Sequence, residues 1–148
     1  MFNYPFIKND CNKKFSKRPK QDNDCTVIAL GIACNISYDR SYNILKFFAK
    51  RKCNRAASYD KCLKKLNKIS LLPYKFNWIP FPAIKGQKRM TPIEFIKKYP
   101  KGVYIIETAR HVFAMKDGIA LGTWQERENR CIYGVWEVVK NPLTFSEE

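Results

Sequence analysis

The stretch Gln21-Asp22-Asn23-Asp24-Cys25-Thr26-Val27-Ile28-Ala29-Leu30-Gly31-Ile32-Ala33-Cys34 changes character at Cys25. Polar residues give way to a run without a single charge. Asn23 or Asp24 can cap a helix that starts there. Val27, Ile28, Leu30 and Ala33 give it an apolar surface. A helix that is apolar almost all round belongs in the middle of a fold. The reading predicts a buried central helix from about Cys25 to Cys34, with a thiol in its first turn.

The flanking chain follows from that helix. Asn35 and Ile36 make a short link, and Ser37 or Asp39 can cap a second helix whose Tyr38, Tyr42, Leu45 and Phe48/Ala49 recur at helical spacing. A basic joint, Lys50-Arg51-Lys52-Cys53-Asn54-Arg55, leads into a third helix from about Ser58 to Lys68. Its Tyr59, Cys62/Leu63, Leu66 and Ile69 form one stripe, and Lys61, Lys64, Lys65 and Lys68 cover much of the rest. Residues 70–90 carry Pro73, Pro80, Pro82 and Gly86, which predicts a long loop with at most a short strand. Trp78 and Phe81 are placed to plug it into the core.

Thr91-Pro92-Ile93-Glu94 combines a capping residue, a proline at the first helical position and a glutamate that closes a capping box. That helix, Pro92–Lys98, stops at Tyr99-Pro100-Lys101-Gly102. The period then switches to two. Strands are expected over Val103–Thr108, His111–Asp117, Ile119–Trp124 and Cys131–Val139, with Asp117-Gly118 as a tight hairpin turn. Helices first and an antiparallel sheet second predict an α+β domain spanning 1–148. Residues 1–20, with Phe2, Tyr4, Phe6, Phe15 and Lys17-Arg18-Pro19-Lys20, read as an extended, basic, aromatic lead-in.

The 148 residues are 45% apolar and 28% charged, which supports a core and excludes wholesale disorder. No apolar run approaches the roughly 20 residues of a membrane span. The first residues lack a charged-then-apolar leader, so a cytoplasmic protein that avoids membranes is expected. The six cysteines accompany no secretion signal and are read as free thiols. With no Cys-x-x-Cys pair and His111 as the only histidine, neither a metal nor a cofactor is expected.

The net charge of +15 is lopsided. Residues 1–101 hold 23 Lys/Arg against 6 Asp/Glu, whereas residues 102–148 hold 5 against 7. The basic front predicts attraction to an acidic protein or peptide, with nucleic acid as the other candidate. Lysines outnumber arginines 20 to 8, which favours diffuse attraction over bidentate base reading. Trp124 and Trp136 sit at alternating strand positions and are expected in the core. The third-helix lysines, and Lys50–Lys52 with Arg55, are read as solvated. No phosphate-binding glycine loop and no paired carboxylates stand out, so acid-pair hydrolysis is unsupported. The oligomeric state stays open.

Two residues carry the chemistry. A thiol at Cys25 meets the helix dipole and main-chain N–H groups, which favour a thiolate and can hold an oxyanion. Gln21, four residues upstream, can add a side-chain amide. His111, just after the Ala109-Arg110 turn, is placed as the general base toward the thiol. The bland alternatives are an inert buried thiol and a satisfied strand-end histidine.

Asp24–Ala33 with Ile36-Ser37-Tyr38, then Thr91–Ile96, Pro100–Ile105, His111–Gly118, Thr123-Trp124 and Val135-Trp136, together resemble small proteins of the papain-like cysteine peptidase fold common in tailed phages. The match covers most of residues 22–138 in order. The resemblance implies a helical part carrying Cys25 as nucleophile, packed on a sheet carrying His111 as base, with a cleft between. It implies hydrolysis or acyl transfer at an amide or isopeptide bond, in a host cytoplasm if phage-encoded. Its alternative is a non-catalytic protein of the same fold that binds a host protein or nucleic acid through its basic surface. Relatives tend to carry an acid just before the Thr-Trp pair, and here that position is Gly122. Gln125, Glu126, Asn129 or Glu107 is then the expected substitute orienter of the imidazole.

Overall fold

A computed structural model describes residues 4–49, 59–81 and 84–141. The basic joint Lys50–Arg55, Ser58 and Pro82 lie outside the described residues. The elements run β1 (Phe6–Lys8), a 3-10 turn (Lys13–Phe15), α1 (Cys25–Cys34), α2 (Tyr38–Phe48), α3 (Tyr59–Ile69), β2 (Tyr74–Pro80), α4 (Pro92–Lys98), β3 (Val103–Thr108), β4 (His111–Lys116), β5 (Ile119–Gly122) and β6 (Gly134–Lys140). Six strands form one sheet in the order β1-β5-β4-β3-β6-β2. Every pairing is antiparallel except β1 with β5. The class is α+β.

Every residue of α1 from Thr26 to Cys34 is buried, as an apolar run without a polar face requires. Strand alternation sorts the rest. Val112 and Ala114 of β4 join α1, α2 and α3 in one core. Phe113 and Met115, from the same strand, join Phe95 of α4 and Tyr4 in a second core on the other face. Gly31 lets the lead-in close over α1: a Cβ there would stand 2.6 Å from Cys11 Sγ. Thus the lead-in is built into the fold. Its β1 edges the sheet, Tyr4 is buried, and Phe15 is left exposed.

Ser37 caps α2, its side chain accepting from the Arg40 N–H at 3.1 Å. The α4 capping box forms, with the Glu94 carboxylate accepting from the Thr91 N–H and hydroxyl, each at 3.0 Å. Hydrogen bonds from these Thr91 groups hold the Glu94 carboxyl below its ordinary value. The Asp117-Gly118 turn takes positive φ at both residues, as a tight hairpin requires.

Several expectations fail. The sheet is mixed rather than antiparallel, because the lead-in adds β1 parallel to β5. Residues 74–80 form a full seven-residue strand paired with β6, not a loop with at most a short strand. The prolines fall just before it and at its last residue on the sheet edge, where a missing N–H costs no ladder bond. Trp78 pairs opposite Trp136 and lies over Gly134, where a Cβ would stand 2.0 Å from its ring, but it is 41% exposed rather than plugged into the core. Trp124 likewise is 51% exposed rather than core. The regular strand β5 ends two residues before it, at Gly122, so alternation no longer governs it. Trp136 is buried as expected.

Candidate functional site

Asp24 precedes α1 in the N-cap position, but its carboxylate is spent elsewhere. It accepts from the Tyr38 hydroxyl at 2.7 Å and pairs with Lys13 at 2.8 Å. Lys13 also donates to the Gln21 carbonyl, so the lead-in straps the entry to α1. This fixes Cys25 in the first helical turn, half-buried.

Cys25 and His111 meet in one crevice between α1 and the β4–β5 strands, together with Ala29, Val112, Gly122 and Thr123. The crevice is too narrow to admit a water molecule. The two residues reach it from different sides. Cys25 comes from the α1 face. The His111 ring stacks on Phe113, with centroids 5.5 Å apart, and so turns toward the other face. Gln21 is buried but does not line the crevice.

Two rings flank the imidazole: Trp124 stacks on it at 3.7 Å between centroids, and Phe113 backs it at 5.5 Å. Nε2 is buried without a hydrogen-bond partner. Burial lowers the His111 pKa below its ordinary value, against the opposing pull of Glu126 and the Trp124 carbonyl.

The four candidate substitute orienters have other partners or other places. Gln125 Nε2 donates to the Tyr4 carbonyl at 2.9 Å. Glu126 acts on the imidazole only through its charge: its carboxylate takes the Thr108 hydroxyl at 2.7 Å, the Arg127 N–H at 3.0 Å and Arg130 at 3.5 Å. Glu107 turns to Trp136. Asn129 is exposed in the loop before β6.

Glu107 reveals a cluster the sequence hides. Trp136 Nε1–H is shared between Asp60 and Glu107, each at 3.1 Å. Burial, then the hydrogen bond and charge of Asp60, push the Glu107 carboxyl up to about 8. This is a paired carboxyl group where none was expected, because its members lie on α3 and β3. Tyr59, one residue before Asp60, has a buried hydroxyl without a partner. Burial raises its pKa first, and then Cys34, Cys62, Glu107 and Cys25 add to the rise.

Among the described residues, four buried side-chain polar atoms lack a hydrogen-bond partner: Thr26 Oγ1, Tyr59 Oη, Arg89 Nε and His111 Nε2. Three of these concern Cys25. Thr26 follows it, Tyr59 lies within its electrostatic reach, and His111 shares its crevice. Such orphans are rare, because each forfeits about 1–3 kcal/mol of solvation.

Five described cysteines carry no disulfide. Burial pushes the Cys34 and Cys62 thiols up to about 12, which leaves them inert. Among the described residues, no group of three or more His, Cys, Asp or Glu gathers to hold a metal, and no helix is long and apolar enough to cross a membrane. The chain matches no protein-family model, no curated protein and no solved structure.

Proposed function

We propose that Cys25 and His111 are the nucleophile and base of a papain-like thiol hydrolase or acyltransferase acting on an amide or isopeptide bond. The observation that carries this reading is that Cys25 and His111 line one crevice and the buried His111 Nε2 has no hydrogen-bond partner. A buried ring nitrogen left unsatisfied costs stability, and such a group suits proton transfer.

In this reading the crevice widens to admit the substrate. The thiol proton passes to Nε2 and the sulfur attacks the carbonyl carbon. Main-chain N–H groups in the first turn of α1 hold the oxyanion. Collapse breaks the C–N bond, and His111 returns its proton to the departing amine. Water, deprotonated by His111, or a second amine then attacks the thioester and frees the sulfur. Gln21 stands outside the crevice and has no part in this scheme.

The test is amine release from a panel of peptide and isopeptide amides. Cys25→Ala and His111→Ala should each abolish it while thermal unfolding stays cooperative. Unchanged release by Cys25→Ala would refute the assignment. The rival reading, a non-catalytic binder, is favoured by one observation: Gly122 gives the imidazole no carboxylate. It requires partner binding that weakens with salt and survives loss of Cys25.

A further inference from the structure

A concavity beside the candidate site has Trp124, the residue stacked on the histidine ring, on its wall. It encloses about 610 Å³, and its walls include Arg110, Trp124, Glu126, Arg127 and Arg130. We propose that this arginine-lined pocket is the substrate subsite, and that it takes an acidic peptide segment flanking the bond to be cleaved or transferred. The proposal rests on the amide chemistry assigned to Cys25 and His111.

Three observations carry it. The first is charge. Three guanidinium groups face one carboxylate, and Glu126 is only 3% exposed, its oxygens committed to Thr108, the Arg127 N–H and Arg130. The pocket therefore presents uncompensated positive charge. Residues 102–148 contain only five Lys/Arg, and three of them line this pocket.

The second is backbone. Arg110 occupies the Ala109-Arg110 turn with φ of 60°. Glycine or asparagine is the easy choice in that left-handed conformation. A guanidinium kept there, against backbone preference, fits a role for its charge. The third is Trp124. One face of its indole covers His111, yet the residue remains 51% exposed at the pocket wall. A ligand held there touches the side chain that closes over the imidazole.

Arginine recognises carboxylates through paired N–H donors, which favours acidic side chains over diffuse attraction. This places acid recognition in the C-terminal half and not on the lysine-rich front.

The experiment uses labelled, end-capped hexaglutamate and hexaglutamine peptides and an eight-residue oligothymidylate, each titrated at low salt by fluorescence anisotropy. The protein carries Cys25→Ala, so the binding result is independent of whether the thiol acts. Arg110→Ala/Arg127→Ala is compared with a charge-matched control, Lys61→Gln/Lys64→Gln, on exposed positions of α3. Thermal melts verify that both fold. Hexaglutamate should bind, should weaken at least about tenfold in the arginine variant and should change less than about twofold in the control. Hexaglutamine should not bind. Equal weakening in both variants, equal binding of hexaglutamine, or an arginine-dependent oligothymidylate affinity above that of hexaglutamate would overturn the proposal.

Discussion

The ring of His111 lies almost flat against the indole of Trp124, with centroids 3.7 Å apart and planes 20° apart. The indole thus shields one face of the imidazole, and burial is the leading cause that lowers the His111 pKa. Removing the side chain tests that contribution.

Trp124→Ala should raise the His111 pKa toward its ordinary value, since burial is the main cause of its depression. His111 is the only histidine, so its ring protons can be followed by NMR without assignment. A pKa that stays depressed in the variant would mean that Trp124 is not the source of the desolvation.

Gly122→Asp should supply the carboxylate this chain lacks. A Cβ at Gly122 meets Phe113 Cβ at 3.6 Å, an ordinary contact, so a Cβ is tolerated there. A nearby negative charge favours the imidazolium, and the His111 pKa should rise by about one unit or more. Cys25 should alkylate faster at neutral pH. An unchanged titration would show that an acid at this position does not reach the ring.

Glu107→Gln should flatten the pH dependence of stability. The Glu107 carboxyl is held up to about 8 in the fold, by burial and then by Asp60, so the folded state keeps a proton that the unfolded chain releases. Stability from this group is complete below the ordinary carboxylate range and falls as pH rises toward 8. His111, with its lowered pKa, acts in the opposite sense: its contribution is present above its ordinary value and fades as pH falls. Urea melts from about pH 5 to 8 should show the decline in the wild type and a smaller one in Glu107→Gln. Equal slopes would contradict the protonated pair.

The helices were legible because each carries its own signal. The uncharged run fixes α1, the Ser37 cap starts α2, and Thr91-Pro92-Ile93-Glu94 announces α4. Alternation and Asp117-Gly118 reveal the β4–β5 hairpin. Strand β2 was obscured because prolines bracket it, and an edge strand tolerates them. At the site, Cys25 and His111 were found as residue types at element ends, and the fold places both on one crevice. The stacking of Trp124 on His111 was illegible, because strand alternation assigned Trp124 to the core. Asp60 and Glu107 were also hidden, because their pairing depends on how α3 lies against β3 and β6.

The most direct measurement is the alkylation rate of each cysteine against pH, read by peptide mass spectrometry in the wild type and in His111→Ala. Cys11 and Cys131, also half-buried, serve as internal controls. The account predicts that Cys25 reacts fastest near neutral pH and loses that advantage without His111. A Cys25 no more reactive than Cys11 and Cys131, or one indifferent to the loss of His111, would contradict the pairing of thiol and imidazole.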